Sequence, residues 1–275
     1  MVVGIVGLGL MGGSLGLALK GVGEVGKIVG YDHNDQHCKT ALEHDLVDAI
    51  VTWDELKKSD VIFLAIPVEG IIKALGDLEG VDDKSTIIDL GSTKAKIVEN
   101  IPPKIRKNVV AAHPMTGTEK FGPEAAVANL YRDKIVVLCN IDESGERQKI
   151  IARTLFEAIG MRVVTMDAKE HDRHAAYISH LPHAISYALA NAVLAQEDSK
   201  NILILAAGGF KDMSRLAKSS PVMWEEIFKQ NRENLLMAMD HFEDELKTCR
   251  KLINESDWEG VKRWMQEAKK LHEIL

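Results

Sequence analysis

Apolar residues in the first 167 positions come in short runs of strand length. Val2–Val6, Lys27–Asp32, Val61–Pro67, Thr86–Leu90, Val109–Ala112, Ile135–Asn140 and Arg162–Asp167 are rich in β-branched residues and bounded by Gly, Pro, Asp or Asn. Helical periodicity fills intervals such as Ser14–Lys20 and Gln36–Leu46. Nearly continuous apolar strands that alternate with helices predict a doubly wound parallel sheet, covered on both faces. This part of the chain is α/β.

Beyond Asp167 the pattern changes. Two prolines (Pro182, Pro221) and three glycines (Gly208, Gly209, Gly260) are the only such breaks in long stretches of helical periodicity. His174–Ala195 is apolar on most faces, with a kink expected at Pro182. Asn201–Ala207, Ser214–Ala217, Trp224–Ile253 and Trp258–Ile274 complete an all-helical second part. Ser219-Ser220-Pro221 is a start signal for the helix holding Trp224. That helix would run about 30 residues, roughly 45 Å at 1.5 Å per residue. Helices so long and so apolar want more cover than this half-chain supplies, so a homodimer through the helical part is expected.

Composition narrows the class. The chain has 275 residues, 30.4 kDa and 46% hydrophobic residues, room for one large domain or two modest ones with a sizeable core. A net charge of -7 and a pI near 5.8 argue against a broad nucleic-acid or anionic-membrane surface. No apolar run approaches the ~20 residues of a membrane span. Met1 leads straight into a strand without the basic region of a signal peptide. Cys38, Cys139 and Cys249 are far apart and read as reduced thiols. A soluble cytoplasmic protein is expected.

The first chemical motif follows the first strand. Gly7-Leu-Gly9-Leu-Met-Gly12 is a G-x-G-x-x-G in which Gly7 allows a tight turn, Gly9 lets a pyrophosphate approach and Gly12 permits close packing. A helix opening near Gly13-Ser14 would point its N–H groups at the phosphates. Asp32, ending the second strand, can accept from both ribose hydroxyls and repels a 2′-phosphate, with His33 and Asn34 beside it rather than Arg. NAD is the expected cofactor. The domains are therefore a dinucleotide-binding Rossmann domain over 1–167 and a helical substrate and dimerisation domain over 168–275.

Reacting groups in such sheets lie beyond the carboxyl ends of the strands. Three ends stand out: Pro67 after Val61–Ile66, Ser92 after Thr86–Leu90, and His113 after Val109–Ala112. Oxidising a carbinol needs a proton acceptor, which suits His113, and a hydroxyl such as Ser92 could hold the carbinol and the imidazole in line. In the run from His171 to His183, His180 and His183 share a helix face. Their spacing could serve zinc, but no second cluster accompanies them, so the favoured reading is a metal-free wall for a polar substrate. Arg215 is either a carboxylate clamp or the surface partner of Asp212.

Gly7–Gly12, Asp89-Leu-Gly-Ser92-Thr-Lys94, His113-Pro-Met-Thr-Gly-Thr-Glu119, Ser179-His-Leu-Pro-His183 and Gly208-Gly-Phe-Lys-Asp-Met-Ser-Arg215 together resemble the prephenate dehydrogenase family. The resemblance implies NAD-dependent oxidative decarboxylation of prephenate to 4-hydroxyphenylpyruvate in tyrosine biosynthesis. It implies that His113 polarises the C4 hydroxyl, Ser92 orients it, and His180 and His183 line the pocket. Arg215 would pair with a substrate carboxylate, Thr118 and Glu119 would form a gate, and Trp224 would reach in from the other protomer. A dianionic substrate requires local positive charge, for which Lys94 or Lys211 could assist Arg215. Without a regulatory ACT pattern, tyrosine would be expected to compete at the active site. Alternatives are arogenate as substrate, a β-hydroxyacid dehydrogenase, or a non-catalytic NAD-sensing dimer.

Overall fold

The computed structural model describes residues 1–118 and 120–274, with Ser199 described by its main chain alone. Strands β1 (Val2–Val6), β2 (Lys27–Tyr31), β3 (Ala49–Ile50), β4 (Val61–Leu64), β5 (Thr86–Asp89), β6 (Val109–Pro114), β7 (Ile135–Cys139) and β8 (Arg162–Met166) form one sheet in the order 3-2-1-4-5-6-7-8. The order reverses between β1 and β4, which opens a crevice at their carboxyl ends. Helices α1 (Leu10–Leu19), α2 (Asp35–Glu43), α3 (Trp53–Leu56), α4 (Val68–Asp77), α5 (Ala95–Glu99) and α6 (Glu146–Ala158) connect the strands. Alternation on β4 divides the core: Val61 and Phe63 pack into one apolar cluster, Ile62 and Leu64 into another on the opposite face. Phe63 meets Phe156 of α6 edge-on, ring centres 6.1 Å apart.

Two features depart from the expected sheet. The two-residue strand β3 is too short to leave a periodic signal. The sheet is also not wholly parallel, because β6 and β7 pair antiparallel. A parallel return needs a crossover of a dozen residues or more, usually helical. The described part of the 115–134 connection holds only one 3-10 turn (Pro123–Ala125), and Met115 N–H donates to the Ile135 carbonyl (2.7 Å).

The remaining helices are α7 (Ala168–Ala175), α8 (Leu181–Leu194), α9 (Ser199–Ile204), α10 (Gly208–Ser214), α11 (Pro221–Gln230), α12 (Arg232–Asn254), α13 (Trp258–Lys269) and α14 (Leu271–Ile274). The first of these begins earlier than expected. Asp167 caps α7, accepting from the N–H groups of Lys169 and Glu170. A π-turn at Ala176–His180 then joins it to α8, with Pro182 in the first turn of the new segment. Proline lacks an N–H to continue the ladder, and the extra residue of the π-turn absorbs that break. The expected single helix over Trp224–Ile253 is two helices, divided at Asn231. Gly208 opens α10, and Arg215 is its C-cap and the first residue of a 3-10 turn (Arg215–Lys218). No described helix is long and apolar enough to cross a membrane.

Candidate active site

The glycine turn is shaped by backbone geometry. Gly7 has φ +89°, and a Cβ there would lie 2.5 Å from the Ala65 carbonyl oxygen. A Cβ on Gly12 would run into the Gly7 carbonyl, whereas nothing lies within 4 Å of the place a Cβ on Gly9 would take. Open space above Gly9 is what a bulky anion needs for close approach. Gly9 is the N-cap of α1, which opens at Leu10, three residues before the expected Gly13. The free helix donors are therefore those of Leu10, Met11 and Gly12.

Asp32 stands beside this turn. Its Oδ2 accepts from Leu8 N–H (2.8 Å) and its Oδ1 from Asn34 N–H (2.9 Å). Nδ1 of His37 lies 3.3 Å from Oδ2. The carboxylate thus has a fixed orientation with lone pairs still to offer. It lines a cavity of about 400 Å³ together with Gly7, Tyr31, Trp53, Ile66 and Lys73. Tyr31 and Trp53 meet edge-on there at 5.3 Å. These features fit a dinucleotide: a glycine turn open to phosphate, an oriented acid and an aromatic-walled recess. Pro67, exposed, is the N-cap of α4 at the neighbouring strand end.

His113, half-buried, is the penultimate residue of β6, and its Nδ1 has a partner the motifs did not suggest. Nδ1 lies 2.8 Å from Nε2 of His171, whose Nδ1 lies 2.8 Å from Oδ1 of Asp172. No hydrogen bond joins Ser92 to His113; the half-buried Ser92 shares the strand-end region without touching the ring through a polar contact. Burial holds His113 well below the usual histidine range, assisted by the positive fields of His171, Lys94 and His180. It is a neutral imidazole at neutral pH.

Lys94 departs from its expected role. It is fully buried, paired with Asp89, and its Nζ donates to the Ala112 carbonyl (2.7 Å). A side chain so enclosed cannot meet a substrate carboxylate; it ties the end of β5 to the residue before His113. Burial raises the Asp89 carboxyl, and Lys94 pulls it back down.

The helix wall is built within one chain. His183 stacks on Trp224 with ring centres 3.5 Å apart and planes at 22°. Trp224 is 6% exposed and packs on His183 of its own chain. His183 Nδ1 donates to the Ser179 carbonyl (2.9 Å), which leaves Nε2 as an acceptor. Burial lowers its pKa, the Ser179 bond opposes that, and nearby Arg215 lowers it further. His180, by contrast, is 1% exposed and backs the wall instead of facing open solvent. Burial pushes its pKa down to about 4.

Arg215 is exposed and has no ion-pair partner among the described residues, Asp212 included. Two contacts hold its segment against α8: Ala217 N–H donates to Ser186 Oγ (3.0 Å), and Tyr187 Oη donates to the Ser219 carbonyl (2.9 Å). Lys211 is exposed on α10. Thr118 lies exposed in the loop after β6, accepting from Lys120 N–H (3.2 Å), and Glu119 lies outside the described residues. No group of three or more His, Cys, Asp or Glu is arranged for a metal among the described residues.

His171 and Asp172 are the site residues that sequence reasoning missed. Their signal was present, since both belong to the histidine-rich run, but only the fold brings them to His113.

Family comparison agrees with this geometry. Residues 15–165 match the model for the prephenate dehydrogenase nucleotide-binding domain, and residues 167–267 that for the prephenate dehydrogenase dimerization domain. A prephenate dehydrogenase of Bacillus subtilis is 31% identical, the match covering 96% of this chain and 73% of that protein. A cyclohexadienyl dehydrogenase of Zymomonas mobilis is 30% identical over 98% of this chain and 94% of its own. The solved prephenate dehydrogenase of Aquifex aeolicus, in complex with hydroxyphenyl propionate and NAD+, superposes with a TM-score of 0.93 at 33% identity, covering 100% of this chain and 98% of that one. This chain belongs to the prephenate dehydrogenase family.

Proposed function

We propose that this protein oxidatively decarboxylates prephenate to 4-hydroxyphenylpyruvate with NAD+ in tyrosine biosynthesis. The observation that carries the reading is His113: a half-buried neutral imidazole near a strand end, its Nδ1 engaged by His171 and its Nε2 in no hydrogen bond with the described residues. Gly7, Gly9, Gly12 and Asp32, with Pro67 alongside, would hold NAD+, and the bound cofactor supplies the hydride acceptor. The acid at position 32 favours NAD over NADP.

His113 accepts the hydrogen bond of the C4 hydroxyl and raises electron density at C4, an effect worth about 10²–10⁴-fold for a positioned base. Ser92 orients that hydroxyl. Arg215, free of protein carboxylates among the described residues, pairs with a carboxylate of the substrate, and Lys211 adds positive charge on the same side. His183 and Trp224 form the wall, His180 supports it from behind, and Thr118 belongs to the rim. Aromatisation of the ring makes the step irreversible.

A second reading, arogenate as substrate, is favoured by one contact. His183 spends its N–H on Ser179, so its free nitrogen accepts, which suits an ammonium as well as a water-bridged ketone. Absorbance at 340 nm with NAD+ and either substrate tests both readings. A higher kcat/KM with prephenate is expected, and no rise with either would leave a cofactor-sensing protein. In the same assay His113→Asn should lower kcat about 10²–10⁴-fold with KM much less affected.

The reading includes a cytoplasmic homodimer, with the domain division at residue 167. Ile204, Leu205 and Val222, each at least 77% exposed, support an interface on the helical part. Light scattering should give twice the chain mass.

A further inference from the structure

The helical part inserts two buried residues, His171 and Asp172 of α7, at the carboxyl end of the sheet, 2% and 3% exposed. Asp172 receives three donors. Lys94 N–H reaches Oδ1 (2.7 Å), Ala95 N–H reaches Oδ2 (2.9 Å), and His171 Nδ1 reaches Oδ1 (2.8 Å). A carboxylate fixed by two main-chain N–H groups can only accept from the ring beside it. His171 therefore carries its proton on Nδ1, and its Nε2 is a lone pair. That lone pair faces His113 Nδ1 at 2.8 Å, so His113 must donate from Nδ1 and keep Nε2 unprotonated.

We propose that His171 and Asp172 are positioning residues that hold His113 in its Nδ1–H tautomer and stabilise the positive charge it takes on during turnover. This rests on the reading of His113 as the base. Free imidazole side chains favour the opposite tautomer, which would turn an N–H toward the substrate hydroxyl and abolish acceptance there. The polarity originates at the first turn of α5 and crosses from α7 to β6, so the base is set by contacts between the sheet and the helical part. Other groups facing His113 act differently. Lys94 Nζ bonds the Ala112 carbonyl, and its charge opposes protonation, while His180 stays neutral.

The proton balance suits such a blind relay. Prephenate and NAD+ give 4-hydroxyphenylpyruvate, CO2 and NADH, with no net proton released. C4 gives up hydrogen with its electron pair, and the C1–carboxylate bond opens with its pair completing the aromatic ring. The hydroxyl proton shared with His113 Nε2 returns to the phenol oxygen. Asp172 needs only to stabilise the imidazolium character while it lasts, as the acid of a catalytic triad does.

Nitrogen-15 NMR of the full-length, histidine-labelled protein tests the tautomer, with the His113 signal assigned by its loss in His113→Asn. The expected wild-type state is Nδ1–H, and an Nε2–H ring would overturn the proposal. His171→Phe should shift His113 toward Nε2–H and lower kcat roughly 10²-fold, with KM within about threefold of wild type. His171→Gln can accept from His113 through its carbonyl and donate to Asp172 through its amide. It should keep the Nδ1–H state and recover most of the rate. An unchanged tautomer in His171→Phe, or loss of rate in the Gln variant equal to that in Phe, would reduce both residues to packing and overturn the proposal. The wild-type and Gln spectra decide the matter even if the Phe variant fails to fold. The spectra need no substrate, so an Nδ1–H His113 in a protein inert toward prephenate would refute the proposed activity and leave the relay standing.

Discussion

The side-chain amide of Asn231 lies 3.1 Å from Nδ1 of His180 and also donates to the Asp172 carbonyl at 2.6 Å. Both contacts are buried, and they occur at the residue that divides α11 from α12. The break in what looks like one long helix thus braces the histidine wall. Because the amide donates, His180 Nδ1 accepts, and the proton of that ring sits on Nε2.

Asn231→Ala should destabilise the protein by about 1–3 kcal/mol, since it leaves the His180 nitrogen buried without a partner and takes one of two donors from the Asp172 carbonyl. Urea denaturation measures the loss. A variant as stable as wild type would show that water replaces the amide.

Lys94→Met should cost about 3–5 kcal/mol, because it strands the Asp89 carboxylate in the core. The double change Asp89→Leu, Lys94→Met should recover much of that stability, because it removes the buried charge. Chemical denaturation of the two variants separates a stabilising pair from a merely neutralised one. Equal losses in both would point to strain at the strand ends instead.

Arg215→Ala should raise KM roughly 10- to 150-fold with a smaller effect on kcat, the result of losing a charge-assisted pair worth on the order of 1.5–3 kcal/mol. The carboxylate it would bind is present in ground and transition states alike. Steady-state kinetics with an unchanged KM would make Arg215 a solvated surface residue.

Burial and three neighbouring cationic or ionisable groups hold His113 below the usual histidine range, so the acidic limb of kcat/KM should fall below pH 6.5. The sign follows from the role: the base works unprotonated, and a lowered pKa extends its activity toward acid. A limb above pH 6.5 would remove His113 from that role. Stability should show a related window. His180, pushed to about 4, refuses a proton that the unfolded chain takes up near 6.5. Stability therefore declines as pH falls through that interval, and the His180 contribution is fully lost at about 4. Denaturation midpoints between pH 7 and pH 4 record it.

Much of this protein is written locally. The apolar run at Val61–Leu64 determines a strand buried on both faces, and Gly7, Gly9 and Gly12 determine a turn that other residues would obstruct. Ser220-Pro221 is a local helix-start signal, and here Ser220 Oγ accepts from Met223 N–H. Strand ends such as His113 were legible for the same reason, because periodicity shows where a strand stops. What periodicity cannot show is which distant groups meet. Asn231 matches a helical pattern on either side, and its buried partners, His180 and Asp172, lie more than fifty residues away. Lys94 looks like a solvent-facing charge until the sheet encloses it against Asp89. His171 looks like one histidine among several until α7 docks and sets its Nε2 against His113. Hydrophobic patterning acts over a few residues along the chain, whereas desolvation and hydrogen-bond polarity depend on what packs nearby in space, and only the tertiary structure decides that.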